Sequence, residues 1–124
     1  MDKKLTQTIV DQVFDLGETQ EIPGDLVATL RVVEGPDRGT SVRLEKPVNA
    51  IGRGTACALI LSDTRVSATH IQIAFRNGEF RLRDSESTNG TLLNGSPVTE
   101  FALKDGDQIR IGRTVIRMEI DFEL

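Results

Sequence analysis

Hydrophobic positions along the 124-residue chain fall into two regimes that meet near Leu26. Upstream, Leu5, Ile9, Val13 and Leu16 recur at helical spacing among acids, threonines and glutamines, and the stretch ends at Pro23-Gly24. Downstream, apolar residues come in short runs separated by turn residues, which is a strand pattern. Leu26–Glu34 alternates in part and stops at Gly35-Pro36-Asp37-Arg38-Gly39. Ser41–Leu44 and Val48–Ile51 read as short strands around Lys46-Pro47, and the apolar run Ala58–Leu61 reads as a buried strand. Ile71–Arg76 and Glu79–Asp84 flank Asn77-Gly78, the strongest short-range hairpin signal. Thr91–Leu93 and Pro97–Val98 flank a second one, Asn94-Gly95. Gln108–Ile111 and Val115–Phe122 flank Gly112-Arg113-Thr114, with Ile109 and Ile111, then Ile116, Met118, Ile120 and Phe122, on alternate positions.

This pattern predicts an all-β chain, a β-sandwich of about ten or eleven mostly antiparallel strands over residues 26–124. Residues 1–25 read as a flexible leader, disordered or regulatory, with a short partner-induced helix as the alternative. No stretch repeats another, which argues against a propeller or solenoid.

Composition changes this picture little. With no Trp or Tyr and five Phe, the core must be mainly aliphatic. The single cysteine, Cys57, cannot form an internal disulfide, and no run approaches 18 apolar residues. The first ten residues lack the apolar run and cleavage site of a signal peptide, so the expectation is a cytoplasmic protein with no membrane partner. Charge is more informative. Residues 1–25 carry Lys3 and Lys4 against six acids, whereas the remainder carries thirteen basic and thirteen acidic residues. A neutral domain has no general pull on nucleic acid, so any anion it binds must be held by a local cluster of donors.

Three predicted loops supply such donors. They are Gly52-Arg53-Gly54-Thr55, the stretch Ser62 to Thr69 followed by His70, and Asp84 to Thr91. Together they offer a guanidinium, several hydroxyls, a side-chain amide and glycine-permitted close approach, with little apolar surface. That inventory suits a phosphate dianion better than an apolar ligand. One histidine excludes a metal site built on several, and no cofactor motif is present. Gly52-Arg53-Gly54 begins like a dinucleotide fingerprint, but Cys57 stands at the third glycine position and a strand follows where a helix is required. Nothing resembles a nucleophile beside its base, so an enzyme is not expected.

Gly52-Arg53, Ser67-Ala68-Thr69-His70, Thr88-Asn89-Gly90-Thr91 and Asn94-Gly95, in this order, resemble the signature of forkhead-associated (FHA) domains. The likeness runs from Leu26 to about Leu124 and extends to small bacterial regulators with one such domain. It implies a module that binds phosphothreonine peptides, with a phosphorylated protein as partner and a Ser/Thr kinase or its substrate as the natural source. By resemblance, Arg53 grips two phosphate oxygens, Ser67 donates its hydroxyl, Thr88 adds a contact from the facing loop, and Asn89 bonds the peptide backbone. Gly52 and Gly90 let the loops approach, and His70 holds Ser67 in place. Arg65, on the loop that in this family faces residues after the phosphothreonine, is expected to favour an acid three positions on.

Two features set this chain apart. Ala68 replaces the Asn or Arg that many family members present to the peptide, which leaves a phosphate-independent scaffold as the competing function. In the leader, Thr6, Thr8 and Thr19 are candidate phosphorylation sites, and Thr8 has Asp11 three residues later. Some similar regulators bind their own phosphorylated tail, so the leader is a candidate ligand for its own domain.

Overall fold

The computed structural model describes residues 18–123, and they form two packed sheets with no helix. In chain order the strands are β1 Leu26–Glu34, β2 Ser41–Arg43, β3 Val48–Gly52, β4 Leu59–Ile60, β5 Ile71–Arg76 and β6 Glu79–Asp84. They continue with β7 Leu92–Leu93, β8 Ser96–Pro97, β9 Glu100–Leu103, β10 Gln108–Ile111 and β11 Thr114–Phe122. One sheet runs β2-β1-β11-β10-β7-β8 and the other β4-β3-β5-β6-β9. All pairings are antiparallel except β3 with β4.

Side-chain alternation explains how the layers face one another. On β1, Leu26, Ala28, Leu30 and Val32 point inward, opposite Ile120, Met118 and Ile116 of β11. From the other sheet Ile51, Ile71, Ile73, Phe75, Phe80 and Leu82 meet them. The core is aliphatic apart from one tilted ring pair, Phe75 and Phe80, with centroids 4.9 Å apart. Both Asn-Gly signals are two-residue turns with left-handed backbone: Asn77 and Gly78 have φ of 51° and 78°, Asn94 and Gly95 50° and 88°. That combination matches the right-handed twist of the flanking strands.

Two expectations change. Ala58–Leu61 is not a buried strand: only Leu59–Ile60 pairs, at the sheet edge and parallel to β3, with Leu59 buried and Ile60 half exposed. A strand that the pattern did not announce, β9, pairs with β6 and closes the opposite edge. The end of the leader also touches the domain. The Gln20 N–H donates to Phe75 O at 2.8 Å, the Gln20 side chain accepts from Asn77 N at 2.9 Å, and Ile22 packs on the core. The leader's predicted helix at Leu5–Leu16, with Thr6 and Thr8, lies outside the described residues.

Candidate functional site

Sheet register brings the three donor loops to one end. Ile51 of β3 faces Ile71 of β5, and Ile71 faces Asp84 of β6. The loop after β3, the loop before β5 and the loop after β6 therefore leave the sheet from one row of residues. Sequence neighbours far apart meet because β5 runs antiparallel to both flanking strands.

Hydrogen bonds then tie the loops together. Arg53 N–H donates to Ser67 O at 3.1 Å and Gly54 N–H to Ala68 O at 2.9 Å. This approach requires glycine at 52, where a Cβ would lie 2.3 Å from Ala68 O and 2.7 Å from Ser67 O. Cys57, buried nearby, donates its thiol to Ala68 O at 3.3 Å, and burial pushes its pKa up. It therefore packs as an inert small residue rather than a nucleophile.

His70 is fully buried and links two loops. Its Nδ1 accepts the Ser67 N–H at 3.1 Å, so the hydrogen sits on Nε2, which donates to Gly90 O at 2.7 Å. Its backbone adds a bond to Ile51 O and accepts one from Ser85 N. Ser67 Oγ in turn accepts the Thr88 N–H at 3.2 Å, leaving the serine O–H to donate outward. Asn89 Nδ2 donates to Arg65 O at 2.8 Å. Its amide therefore spans the second and third loops.

Arg53 is exposed, yet its Nε donates to Val66 O at 2.6 Å. That bond steadies the side chain while its two Nη groups keep no protein partner among the described residues. Arg53, Ser67, Thr88, Asn89 and Arg65 thus lie on one connected set of loops, with Gly52, His70 and Gly90 beneath or between them. Thr19 stands elsewhere, beside Gln20 and the β5–β6 turn.

Two carboxylates that the sequence did not single out hold these loops. Asp63 is buried and accepts Arg65 N at 2.9 Å, Arg113 N at 2.7 Å and Thr114 Oγ1 at 2.8 Å. It fastens the Arg65 loop to the β10–β11 turn. Asp84 accepts Ser87 N at 2.8 Å, Ser87 Oγ at 2.6 Å and Thr91 Oγ1 at 2.5 Å, and Gly90 N donates to Ser87 Oγ at 2.9 Å. Burial opposes ionisation of both acids, but these donors outweigh it and hold both below the ordinary carboxylate pKa.

A pKa lowered on folding stabilises the fold above the unfolded value of about 3.9, and the contribution disappears as pH falls through the folded value. Denaturant unfolding at pH 6 and at pH 3 tests this. Asp63→Asn should cost about 1–3 kcal/mol at pH 6 and distinctly less at pH 3, below the unfolded carboxylate's pKa, where protonation of the unfolded chain removes part of the advantage of the ionised form. An equal difference at both pH values would remove the ionised role.

Among the described residues no group of three or more His, Cys, Asp or Glu could hold a metal, and no helix is long and apolar enough to cross a membrane. The site's chemistry is that of fixed hydrogen-bond donors with the Arg53 guanidinium, suited to holding an anion.

The chain is similar in sequence and fold to known proteins. The family described as "Inner membrane component of T3SS, cytoplasmic domain" matches residues 31–120. The glycogen accumulation regulator GarA of Mycolicibacterium smegmatis is 36% identical over 86 residues, covering 69% of this chain and 54% of that protein. An oxoglutarate dehydrogenase inhibitor of Corynebacterium efficiens is 36% identical over 86 residues, covering 69% and 61%. The FHA domain-containing protein FhaA of Mycobacterium tuberculosis is 40% identical over 92 residues, covering 73% and 17%. The match thus spans about half of GarA and a smaller part of FhaA. Among solved structures, one from a study of phosphothreonine-dependent FHA domain interactions has a TM-score of 0.71 at 37% identity, covering 77% of this chain and 97% of that one. The FhaA FHA domain complexed with the intracellular domain of Rv3910 has a TM-score of 0.68 at 38% identity, covering 74% and 99%.

Proposed function

The chain belongs to the forkhead-associated domain family, and from that premise we propose that it is a binding module for phosphothreonine peptides rather than an enzyme. The observation that carries the reading is Arg53: a guanidinium steadied through Nε, with two Nη groups uncommitted, beside a Ser67 hydroxyl whose own acceptor role is filled by Thr88 N–H. Arg53 Nη groups and Ser67 O–H then converge on the phosphate as charge-assisted donors. Thr88 lines the facing side. Asn89, with Nδ2 spent on Arg65 O, offers its Oδ1 to a peptide N–H. Fixed backbone bonds at Gly54 and His70 mean that little ordering remains for the ligand to induce.

The partner is a phosphorylated protein, made by a Ser/Thr kinase in the same compartment, which we take to be the cytoplasm. Its relatives include a glycogen accumulation regulator and an oxoglutarate dehydrogenase inhibitor, and one related FHA domain is complexed with an intracellular domain, which supports a regulated protein as the partner. The leader remains a candidate ligand. Thr19 is the weakest of its three threonines for self-recognition. Gln20 holds it at the Phe75 end of β5, and the site lies at the Ile71 end, roughly 13 Å away along the strand. Thr8 lies twelve positions before Gln20, a separation that a flexible chain would span with an average reach of about 19 Å.

The test is a titration with three versions of one peptide, bearing threonine, phosphothreonine or phosphoserine. Binding only of the phosphorylated forms, with phosphothreonine ahead, is the expected result. Equal affinity for threonine and phosphothreonine would end the proposal.

A further inference from the structure

The strand β5 is buried on both of its faces. Along β1, β6 and β10, buried positions alternate with half-buried or exposed ones, as a sheet with one covered face requires. On β5 all five residues from Ile71 to Phe75 are buried. Ile71, Ile73 and Phe75 belong to the core, whereas Gln72 and Ala74 point to the outer face of the five-stranded sheet and are 6% and 0% exposed. No described strand lies over that face, because the two sheets pack through their inner sides. A central position does not account for the burial. β1 also has a strand on each side, yet its outward Val27, Thr29 and Arg31 are only half-buried.

Register gives the composition of this outer face. One row across the sheet is Val48, Ala74, Arg81 and Ala102, and the next is Ala50, Gln72, Arg83 and Glu100. Val48 and the three alanines make an apolar strip, with Arg76 and Glu79 at its margin. Three arginines against two glutamates give the face a net positive charge. The described end of the leader arrives at the same margin. Gln20 N–H bonds Phe75 O and Gln20 Oε1 accepts Asn77 N, so Gln20 sits beside the residue that follows Ala74. Upstream of it, Leu5, Ile9, Val13 and Leu16 share one stripe at helical spacing, and Asp11 and Asp15 flank that stripe one turn apart. Gly17 follows Leu16, where a helix end favours glycine.

We propose that residues 5–16 of the same chain dock as a helix on the outer face of the five-stranded sheet. The stripe of Leu5, Ile9, Val13 and Leu16 covers Val48, Ala50, Ala74 and Ala102, with Asp11 and Asp15 turned toward the arginines. The dimensions agree. Twelve residues of helix measure about 18 Å, and the distance from β3 to β9 is about 14 Å. Gly17, Glu18 and Thr19 bridge up to about 10 Å to Gln20. So short a tether gives the leader an effective concentration on the order of millimolar, an advantage over a second copy or a foreign partner. The contact needs no phosphate and uses a sheet face rather than the donor loops, so it goes beyond the phosphopeptide reading and does not depend on it.

The experiment uses the unphosphorylated full chain, Ile9→Asp and, from the sheet side, Ala102→Glu, each variant placing a charge within the contact. Ile9 lies outside the strands, so its substitution cannot disturb their pairing. Chymotrypsin cleavage after Phe14, followed by mass spectrometry, should be about tenfold faster in both variants, because a docked segment is cut only when it opens. A soluble gadolinium chelate should broaden the methyl signals of Ala50 and Ala74 in the variants and spare them in the wild type. Both variants should bind a phosphothreonine peptide as the wild type does. Cleavage at the wild-type rate in either variant would overturn the proposal, as would an Ala74 methyl that stays protected in Ile9→Asp. Protection that fades on tenfold dilution would give the face to a second copy instead. Shifts at Ser67 and Asn89 in Ile9→Asp, without shifts at Ala74, would move the leader to the donor loops and also defeat it. A phosphothreonine peptide that binds no better than its unmodified form would end the phosphopeptide reading and leave this inference standing.

Discussion

Replacing Arg53 by alanine is expected to weaken phosphothreonine-peptide binding at least about 30-fold while shifting the thermal midpoint by only a few degrees. The two effects separate because the residue is exposed and contributes to the fold chiefly one bond, Nε to Val66 O. On the proposed reading the same group faces a dianion in the complex, and truncation would leave that charge without its main partner, costing roughly 2–5 kcal/mol. Arg53→Lys sharpens the test. An ammonium can act as a point charge but cannot bond Val66 O and still present two further donors in a plane. It should therefore recover only a small part of the affinity. Calorimetric titration and a melting curve on the three proteins give the answer. A partner that binds Arg53→Ala as well as wild type would favour the scaffold alternative, which Ala68 keeps open by removing a peptide-contacting side chain from an exposed position.

Much of the fold was legible because local chemistry and tertiary demand agree. Asn77-Gly78 and Asn94-Gly95 can take the left-handed backbone that two-residue hairpins need, and β1 alternates because only one of its faces meets the other sheet. The misreadings share a cause. At sheet edges, burial no longer tracks the strand pattern. Phe101 of β9 faces Leu82 on the inner side and is still 51% exposed, because the partner layer does not cover it. Around β4, the apolar run Ala58–Leu61 has Ala58 exposed and Ile60 half exposed.

The binding loops show a similar division. Arg53, Ser67 and His70 are recognisable as types at a spacing. Asp63 is not, because its partners Arg113 and Thr114 lie some 50 residues away and an isolated aspartate in a polar loop looks solvated. Asp84 was nearer to being readable. An aspartate three residues before a serine and seven before a threonine is a local capping pattern, and both hydroxyls do bond to it.

Replacing His70 by alanine should cost stability, affinity and cooperativity of the loops together. The ring is fully buried, so its deletion leaves a cavity and also strands two backbone groups, the Ser67 N–H and the Gly90 carbonyl. Cavity and orphaned groups together suggest a loss of roughly 3–5 kcal/mol. For a domain of about 100 residues, that lowers the melting temperature by on the order of 20 °C. Two conservative variants divide the role. In His70→Asn the amide oxygen can stand where Nδ1 accepts from Ser67, whereas in His70→Gln the amide nitrogen can stand where Nε2 donates to Gly90. Both should be more stable than His70→Ala. If holding Ser67 is what phosphate recognition needs, His70→Asn should keep more affinity than His70→Gln when both are titrated below their melting points. The opposite order would assign the decisive contact to Gly90 and the loop that carries Asn89, and equal affinities at wild-type level would show that the ring serves stability alone.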